Sequence, residues 1–365
     1  MKQTDGAGLL KIHGLSESYF TGKLEGYLRA KGLAYELLEM DSQSFKRCAR
    51  ITGVAQMPQL ELPDGRWLTD STRIIEHFEH ELPQPALYPA DPAVNFIADL
   101  LEDFGDEWLW RPAMYYRWNF DEDACQLSDQ LARSMLRDVP LPLPCRRWLI
   151  KRRQRRLFLK GDGITRDTSP VVEALYPEVL DALEKALADR PFLLGQRPTQ
   201  ADMGFFGSMF RHFYSDPTPA RIMRTQAPLV HAWVERLWNL QPAHSDQLPM
   251  PAELPEGLQA LLKMLCTDYL PYLDANEQAV DSGAKRVNWQ THGVTFSTPS
   301  NPYQRHCWQR LRWRYQSLSA AQRTRVEDWL GDTAASALLK QPTQPGIVAT
   351  DPISASKKPV DSRWN

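Results

Sequence analysis

Ser18 stands directly before a helix-like run, Tyr19 to Lys31, which Gly32 closes. Met57-Pro58 opens a short strand-like run, and Asp70-Ser71 opens a second amphipathic helix. Each piece supplies one ingredient for holding a thiol or a small anion. Ser18 offers a hydroxyl where a helix N-terminus leaves N–H groups unsatisfied. The proline exposes backbone hydrogen-bonding groups, and the start of the second helix offers N–H groups to a carboxylate. In this order, and with these gaps, the three form one thiol- and anion-binding surface.

The elements that must position them are read from spacing. Leu9, Leu10 and Ile12 form an apolar strand ending at Gly14. Phe20, Leu24, Tyr27 and Leu28 then fall on one helical face, and Gly32 suits a left-handed cap. Ala34 to Leu38 is the next strand, which completes a βαβ unit with its right-handed crossover. Gln59 to Leu62 alternates as a strand, Pro63-Asp64-Gly65 is turn chemistry, and Trp67-Leu68 is the strand after it. Thr69 or Asp70 caps a helix with Ile74, Ile75 and Phe78 on its apolar face. The order β-α-β-α-β-β-α is that of a thioredoxin fold.

These residues resemble the N-terminal domain of the glutathione S-transferase superfamily. Ser18 precedes Gly32 by fourteen residues, the spacing of the active-site serine in serine-type (tau- and zeta-like) members. Met57-Pro58 resembles the family's cis-proline, and Asp70-Ser71 its acidic-Ser pair. Tyr19 stands where a proline commonly comes after the serine, and Glu17 places a carboxyl beside it. Further on, Arg190 to Asp202 resembles the family's FLLG and S/T-x-A-D signature. There Thr199 and Asp202 read as a capping box that starts a buried helix, a folding device and not a catalyst. The resemblance covers roughly residues 8 to 240. It implies an α+β thioredoxin-like domain over 1–88 and an all-α transferase C-terminal domain over 89–245. A mostly helical extension over 246–340 and a disordered tail over 341–365 complete the chain.

The resemblance also implies a mechanism. Glutathione is the bound co-substrate, Ser18 is the activating residue, and Met57, Pro58, Asp70 and Ser71 bind the tripeptide. Ser71 and the helix N-terminus would take the γ-glutamyl end, with Asp70 near its ammonium. A free thiol with a pKa of about 8.5 must drop by about 2 units, or about 2.7 kcal/mol, to be mainly ionised at neutral pH. One hydroxyl hydrogen bond to a charged acceptor supplies about 1.5–3 kcal/mol, and a helix N-terminus roughly 0.3–1 kcal/mol more. Tyr19 and Thr21 remain alternatives to Ser18 for this donor. The activity implied is attack of the thiolate on an apolar electrophile, in a cytoplasmic detoxifying transferase. The alternative is a binding or scaffold protein that keeps the fold without turnover. A homodimer is left open.

Between the two recognised stretches, Trp108 to Trp118 is dense in aromatics, with Asp103, Asp106 and Glu107 just before it. In the family, the first long helix of the second domain faces the thiol. Trp108, Met114, Tyr115 and Trp118 are therefore the candidate substrate pocket, with Trp108, Ala113 or Met114, and Tyr115 expected on one helical face and Arg111 and Arg117 on another. The competing reading is interhelical core.

The rest excludes more than it assigns. Lys and Arg number 43 against 45 Asp and Glu, so bulk charge argues against nucleic acid as a partner. Arg146 to Arg156 is a basic run after a proline-rich linker, read as a solvated helix face. His77 and His80 share a face without further ligands, so no metal is expected. Gly161-Asp162-Gly163 lacks the Lys-Ser/Thr of a phosphate loop. The five cysteines are odd in number and lack CxxC spacing, which fits a reducing compartment. No leader-like or bilayer-length apolar run is present, so no membrane is expected. After Pro249, Pro251 and Pro255 the extension reads as a helix from Leu258, a hairpin around His292-Gly293, and helices over 303–315 and 320–330. No motif assigns it a chemistry.

Overall fold

The computed structural model describes residues 8–242 and 248–340; the tail expected over 341–365 lies outside them. Strands β1 (Leu10–Gly14), β2 (Tyr35–Glu39), β3 (Gln59–Glu61) and β4 (Trp67–Thr69) form one sheet in the order β2-β1-β3-β4. β1 and β2 are parallel, joined through α1 (Tyr19–Lys31), while β3 and β4 run antiparallel to their neighbours. Helices α2 (Ser42–Thr52) and α3 (Ser71–Glu81) complete the thioredoxin-like domain. Gly32 closes α1 at φ 69°, a conformation that suits glycine, and its N–H bonds the Arg29 carbonyl. Leu24, Tyr27 and Leu28 are fully buried on the face that spacing assigns to the core.

The second domain is helical: α4 (Pro92–Asp103), α5 (Trp110–Asn119), α6 (Asp121–Arg133), α7 (Leu143–Arg155), α8 (Ser169–Ala186), α9 (Gln200–Ser208), α10 (Pro217–Gln226) and α11 (Pro228–Trp238). A wide π-type turn, Phe104–Trp108, separates α4 from α5. It crosses α9 backbone to backbone: a Cβ on Gly105 would sit 2.7 Å from the Phe205 nitrogen, and one on Gly204 2.4 Å from the Glu102 carbonyl. Glycine at both positions lets the helices touch. The Thr199 and Asp202 box is formed, and Asp202 does more than cap. Its carboxylate accepts from the Thr199 N–H (2.8 Å), the Leu193 N–H (2.9 Å) and the Trp233 indole (3.0 Å), pinning the loop before α9 to α11. The basic run lies on α7 with Trp148 exposed, and Lys151 and Arg155 pair with Asp121.

The extension contains α12 (Gln259–Met264), α13 (Leu270–Asp281), the hairpin β5 (Arg286–Thr291) and β6 (Val294–Pro299), α14 (Pro302–Gln316), α15 (Ala320–Leu330) and α16 (Asp332–Leu339). It shares one core with both domains; Leu265, Tyr269, Trp308 and Tyr315 are fully buried. Its helix α14 packs on α4 and reaches α3 through two arginines. Arg310 pairs with Glu76 at 3.1 Å, and Arg314 bonds Asp99 at 2.5 Å and pairs with Glu76. All five cysteines are free thiols, and no helix among the described residues is long and apolar enough to cross a membrane.

Candidate functional site

Strand register gathers the three sequence pieces at one edge of the sheet. His13 pairs with Gln59, and Gln59 with Thr69. The ends of β1, β3 and β4 therefore lie side by side, flanked by the Ser18 loop, Met57-Pro58 and Asp70-Ser71. The Met57-Pro58 peptide is cis. The buried Gln59 amide holds the loop before it by donating to the carbonyls of Val54 (2.9 Å) and Gln56 (3.0 Å).

Ser18 is the N-cap of α1 and is half-buried; its hydroxyl oxygen accepts the Thr21 N–H at 3.4 Å. Accepting leaves the hydroxyl proton free to be donated outward. The two alternatives are placed differently. Tyr19 is buried and its hydroxyl donates to the Gly105 carbonyl in the second domain; burial raises its pKa well above the ordinary range, helped by the Asp106 carboxyl. Thr21 is fully buried against the end of β1, where a Cβ on Gly14 would meet its hydroxyl oxygen at 2.5 Å.

Asp70 has φ 74° and ψ 108°, a conformation costly for a residue with a Cβ. It takes the N-cap position of α3 but makes no side-chain cap bond, which corrects the expectation that Thr69 or Asp70 caps this helix. The first-turn N–H groups of α3 are therefore not capped by its carboxylate. Both Asp70 and Ser71 are buried.

Beneath this edge lies a buried charge cluster joining the domains. The Lys23 ammonium donates to Thr72 Oγ1 (2.9 Å), Glu102 (2.5 Å) and Asp106. Burial opposes every charge there. For Glu102 the Lys23 and Arg310 cations outweigh it and hold the carboxyl below its ordinary range, whereas burial lifts Asp106 well above its own. Asp103 is pushed up to about 6 by burial, against the Tyr269 hydroxyl that donates to it at 2.5 Å.

The four aromatic-run candidates separate into two groups. Met114 and Trp118 pack with Leu15, Ile150 and Phe158, and Met57 lies against them, next to the Ser18 loop. Trp108 instead packs on Tyr269 and Tyr272 of the extension, and Tyr115 donates to Glu173 at 2.6 Å. Met114 therefore separates from Trp108 and Tyr115, while Ala113, the other residue expected on that face, lies with them in the main core. The π-type turn adds a residue to the repeat and rotates α5 relative to Trp108. Residues that sequence reasoning passed over stand at this edge: Trp110, half-buried, stacks on Phe20 and meets Phe158 edge-on at 5.4 Å. The alternation Trp108-Leu109-Trp110 was the available signal. Among the described residues no group of histidine, cysteine and carboxylate side chains is arranged to hold a metal.

Comparison with known proteins gives two family matches in chain order: glutathione S-transferase, N-terminal domain, over residues 12–86, and glutathione S-transferase, C-terminal domain, over residues 153–236. No curated protein matches. Solved structures similar to this chain include the beta-etherase LigF from Sphingobium sp. strain SYK-6, 21% identical over 64% of this chain and 97% of that one, with a TM-score of 0.46. A glutathione S-transferase from Rhodospirillum rubrum F11 is 16% identical over 69% and 99%, with a TM-score of 0.45. One from Methylobacterium radiotolerans, in complex with glutathione sulfonate, is 21% identical over 68% and 99%, with a TM-score of 0.40.

Proposed function

We propose that this chain, which glutathione S-transferase family models match over residues 12–86 and 153–236, is an enzyme of that superfamily that directs the thiolate of bound glutathione at an apolar electrophile. The observation that carries this reading is the disposition of Ser18: it caps α1 with its oxygen and keeps its proton, while Tyr19 and Thr21 are engaged or enclosed elsewhere. Ser18 then donates to the sulfur. The first turn of α1 adds its dipole, and the electrophile lies against Met57 and the Phe20–Trp110 pair, which the buried Met114 and Trp118 back. The cis Met57-Pro58 segment pairs the cysteinyl backbone, and the N–H groups of α3 with Ser71 take the γ-glutamyl carboxylate, with Asp70 near its ammonium. Serine here stabilises an anion; the nucleophile is the co-substrate's sulfur. We place the reaction in the cytoplasm, where free thiols stay reduced.

Retention on immobilised glutathione, then turnover with aryl halides, epoxides and peroxides, tests this reading. Binding with conversion of one of these classes supports it, and absence of glutathione binding removes it. A second reading, a glutathione-binding scaffold without turnover, is favoured by Glu17. It precedes Ser18 in sequence and has one buried carboxyl oxygen unpartnered. Burial raises its pKa, as does the nearby Glu39 carboxylate; once ionised, it opposes a thiolate next to it. Tight binding with no turnover across the panel would select this alternative.

A further inference from the structure

The extension reaches the α3 end of the candidate site. Tyr303 stands in the first turn of α14, where Asn301 caps the helix by accepting the N–H groups of Tyr303 (3.0 Å) and Gln304 (3.4 Å). Asn301 is itself held by Asn276 of α13, whose side-chain oxygen accepts its N–H at 2.7 Å. The Gln304 amide donates to Glu107 at 2.8 Å, and Arg310 further along binds Glu76 of α3. The start of α14 is therefore fixed to both domains. From that position the Tyr303 hydroxyl donates to both oxygens of Asp70, at 3.1 and 3.3 Å, across 233 residues of sequence. Burial lifts the Tyr303 pKa well above the ordinary range, as does the Asp70 carboxylate, so the hydroxyl keeps its proton and stays a donor.

We infer that Tyr303 is a positioning residue of the α3 site: it holds the Asp70 carboxylate in the orientation that receives a ligand's ammonium group. Asp70 does not cap its own helix, and the Tyr303 hydroxyl bonds both of its oxygens, which sets their orientation. A carboxylate has about four lone-pair positions. The ammonium of a γ-glutamyl group adds to the tyrosine's hydrogen bond without displacing it. The extension, which carries no chemical motif of its own, thereby becomes part of the site's specificity for an amino-acid head group. This inference rests on the proposed assignment of Asp70 and Ser71 to the γ-glutamyl end.

The test is calorimetry on the full chain with two probes: glutathione, and its deaminated analogue carrying a glutaryl group in place of γ-glutamyl. Tyr303→Phe should weaken glutathione binding by about three- to tenfold, the net scale of one ordinary hydrogen bond, because the tyrosine acts on the ligand only through Asp70. Binding of the analogue, which has no ammonium, should stay unchanged. On an Asp70→Ala background the same tyrosine substitution should have no effect on glutathione, which covers the case in which a shift in folding accompanies the single variant. Equal weakening of both probes would assign Tyr303 a purely structural role, and tighter binding would make it a competitor of the ligand; either overturns the inference. Unchanged glutathione binding by Tyr303→Phe overturns it while leaving the proposed function in place. Failure of the wild type to bind glutathione removes that function, and this inference with it.

Discussion

Arg117 donates from Nη1 to the backbone carbonyl of Glu17 at 2.8 Å, so a helix of the second domain holds the peptide that leads into Ser18. The same guanidinium forms a bidentate pair with Asp216, at 2.7 and 3.0 Å, and donates to the Arg211 carbonyl at 2.5 Å. Both members of the pair are buried. A planar fork with five donors suits this task, which a lysine cannot reproduce. The domain interface thus sets the position of the hydroxyl that would act on the thiol.

Arg117→Leu should destabilise the protein by about 3–5 kcal/mol, because it leaves Asp216 as an uncompensated buried acid. Adding Asp216→Asn should recover much of that loss in urea unfolding. Turnover should remain low in the double variant, since the Glu17 carbonyl still lacks its donor. Full recovery of both would confine Arg117 to stability.

Much of the scaffold was legible because its signals are local. Gly32, the Thr199 and Asp202 box, and the turn at His292-Gly293 each specify backbone geometry within a few residues, and all stand where spacing puts them. The choice among Ser18, Tyr19 and Thr21 was not legible. It depends on a carbonyl 86 residues away at Gly105 and on the close approach of Gly14. The choice between Ala113 and Met114 on the face of Trp108 was not legible for a related reason: Gly105 packs against α9 at the π-type turn, which no periodicity reveals. Tyr303 and Asp70 lie still farther apart in sequence, and neither carries a pattern that points to the other.

Ser71→Ala should weaken glutathione binding by about ten- to a hundredfold, the loss of one hydrogen bond to a charged carboxylate. Ser71 opens the first turn of α3 on the buried side that Ile74, Ile75 and Phe78 continue, and loss of one hydroxyl leaves that packing in place, so thermal unfolding should shift little. Isothermal calorimetry with a circular-dichroism melt reads both quantities. Unchanged affinity, against a measurable wild-type value, removes Ser71 from the site.

Asp103 gives a pH-dependent stability with a definite sign. Burial raises its pKa from 3.8 to about 6, so between these values the folded state keeps a proton that the unfolded state has lost. Stability therefore falls as pH rises through this window, by about 3 kcal/mol at most for this group, and then levels off. Asp216, also raised to about 6 by burial, acts in the same direction. Carboxyls with lowered values, such as Asp41 and Glu61, act oppositely. The readout is thus the difference between variants: Asp103→Asn should lose less stability than wild type between about pH 4 and 6.5. Parallel profiles would show that Asp103 ionises normally.

Glu17→Gln should lower the pKa of bound glutathione's thiol, because it removes a carboxylate that repels the thiolate once ionised. Turnover at neutral pH should rise or hold, while glutathione affinity changes little. A raised thiol pKa in this variant would show that Glu17 assists the site and would remove the observation that favours the scaffold reading.

Ser18→Ala tests the chemistry most directly. The hydrogen bond from Ser18 to the sulfur matters most when the sulfur is charged, so its loss should raise the bound thiol's pKa by about 1–2 units, in line with the 1.5–3 kcal/mol of a bond to a charged acceptor. Turnover should fall while affinity for the tripeptide stays nearly intact, because the neutral thiol loses little. The loss of the N-cap adds a separate cost of about 1 kcal/mol in stability, which a melt measures independently. Tyr19→Phe should do the opposite: it removes a buried bond to the Gly105 carbonyl, lowers the melting temperature and leaves the thiol's titration in place. Thr21→Val, at a fully enclosed position, should likewise leave that titration where it is. The ultraviolet absorbance of the bound thiolate tracks all three. If Ser18→Ala titrates at the wild-type pH, Ser18 is not the activator. If Tyr19→Phe then shifts the titration, the donor is the phenol, and its contact with Gly105 must open when glutathione binds.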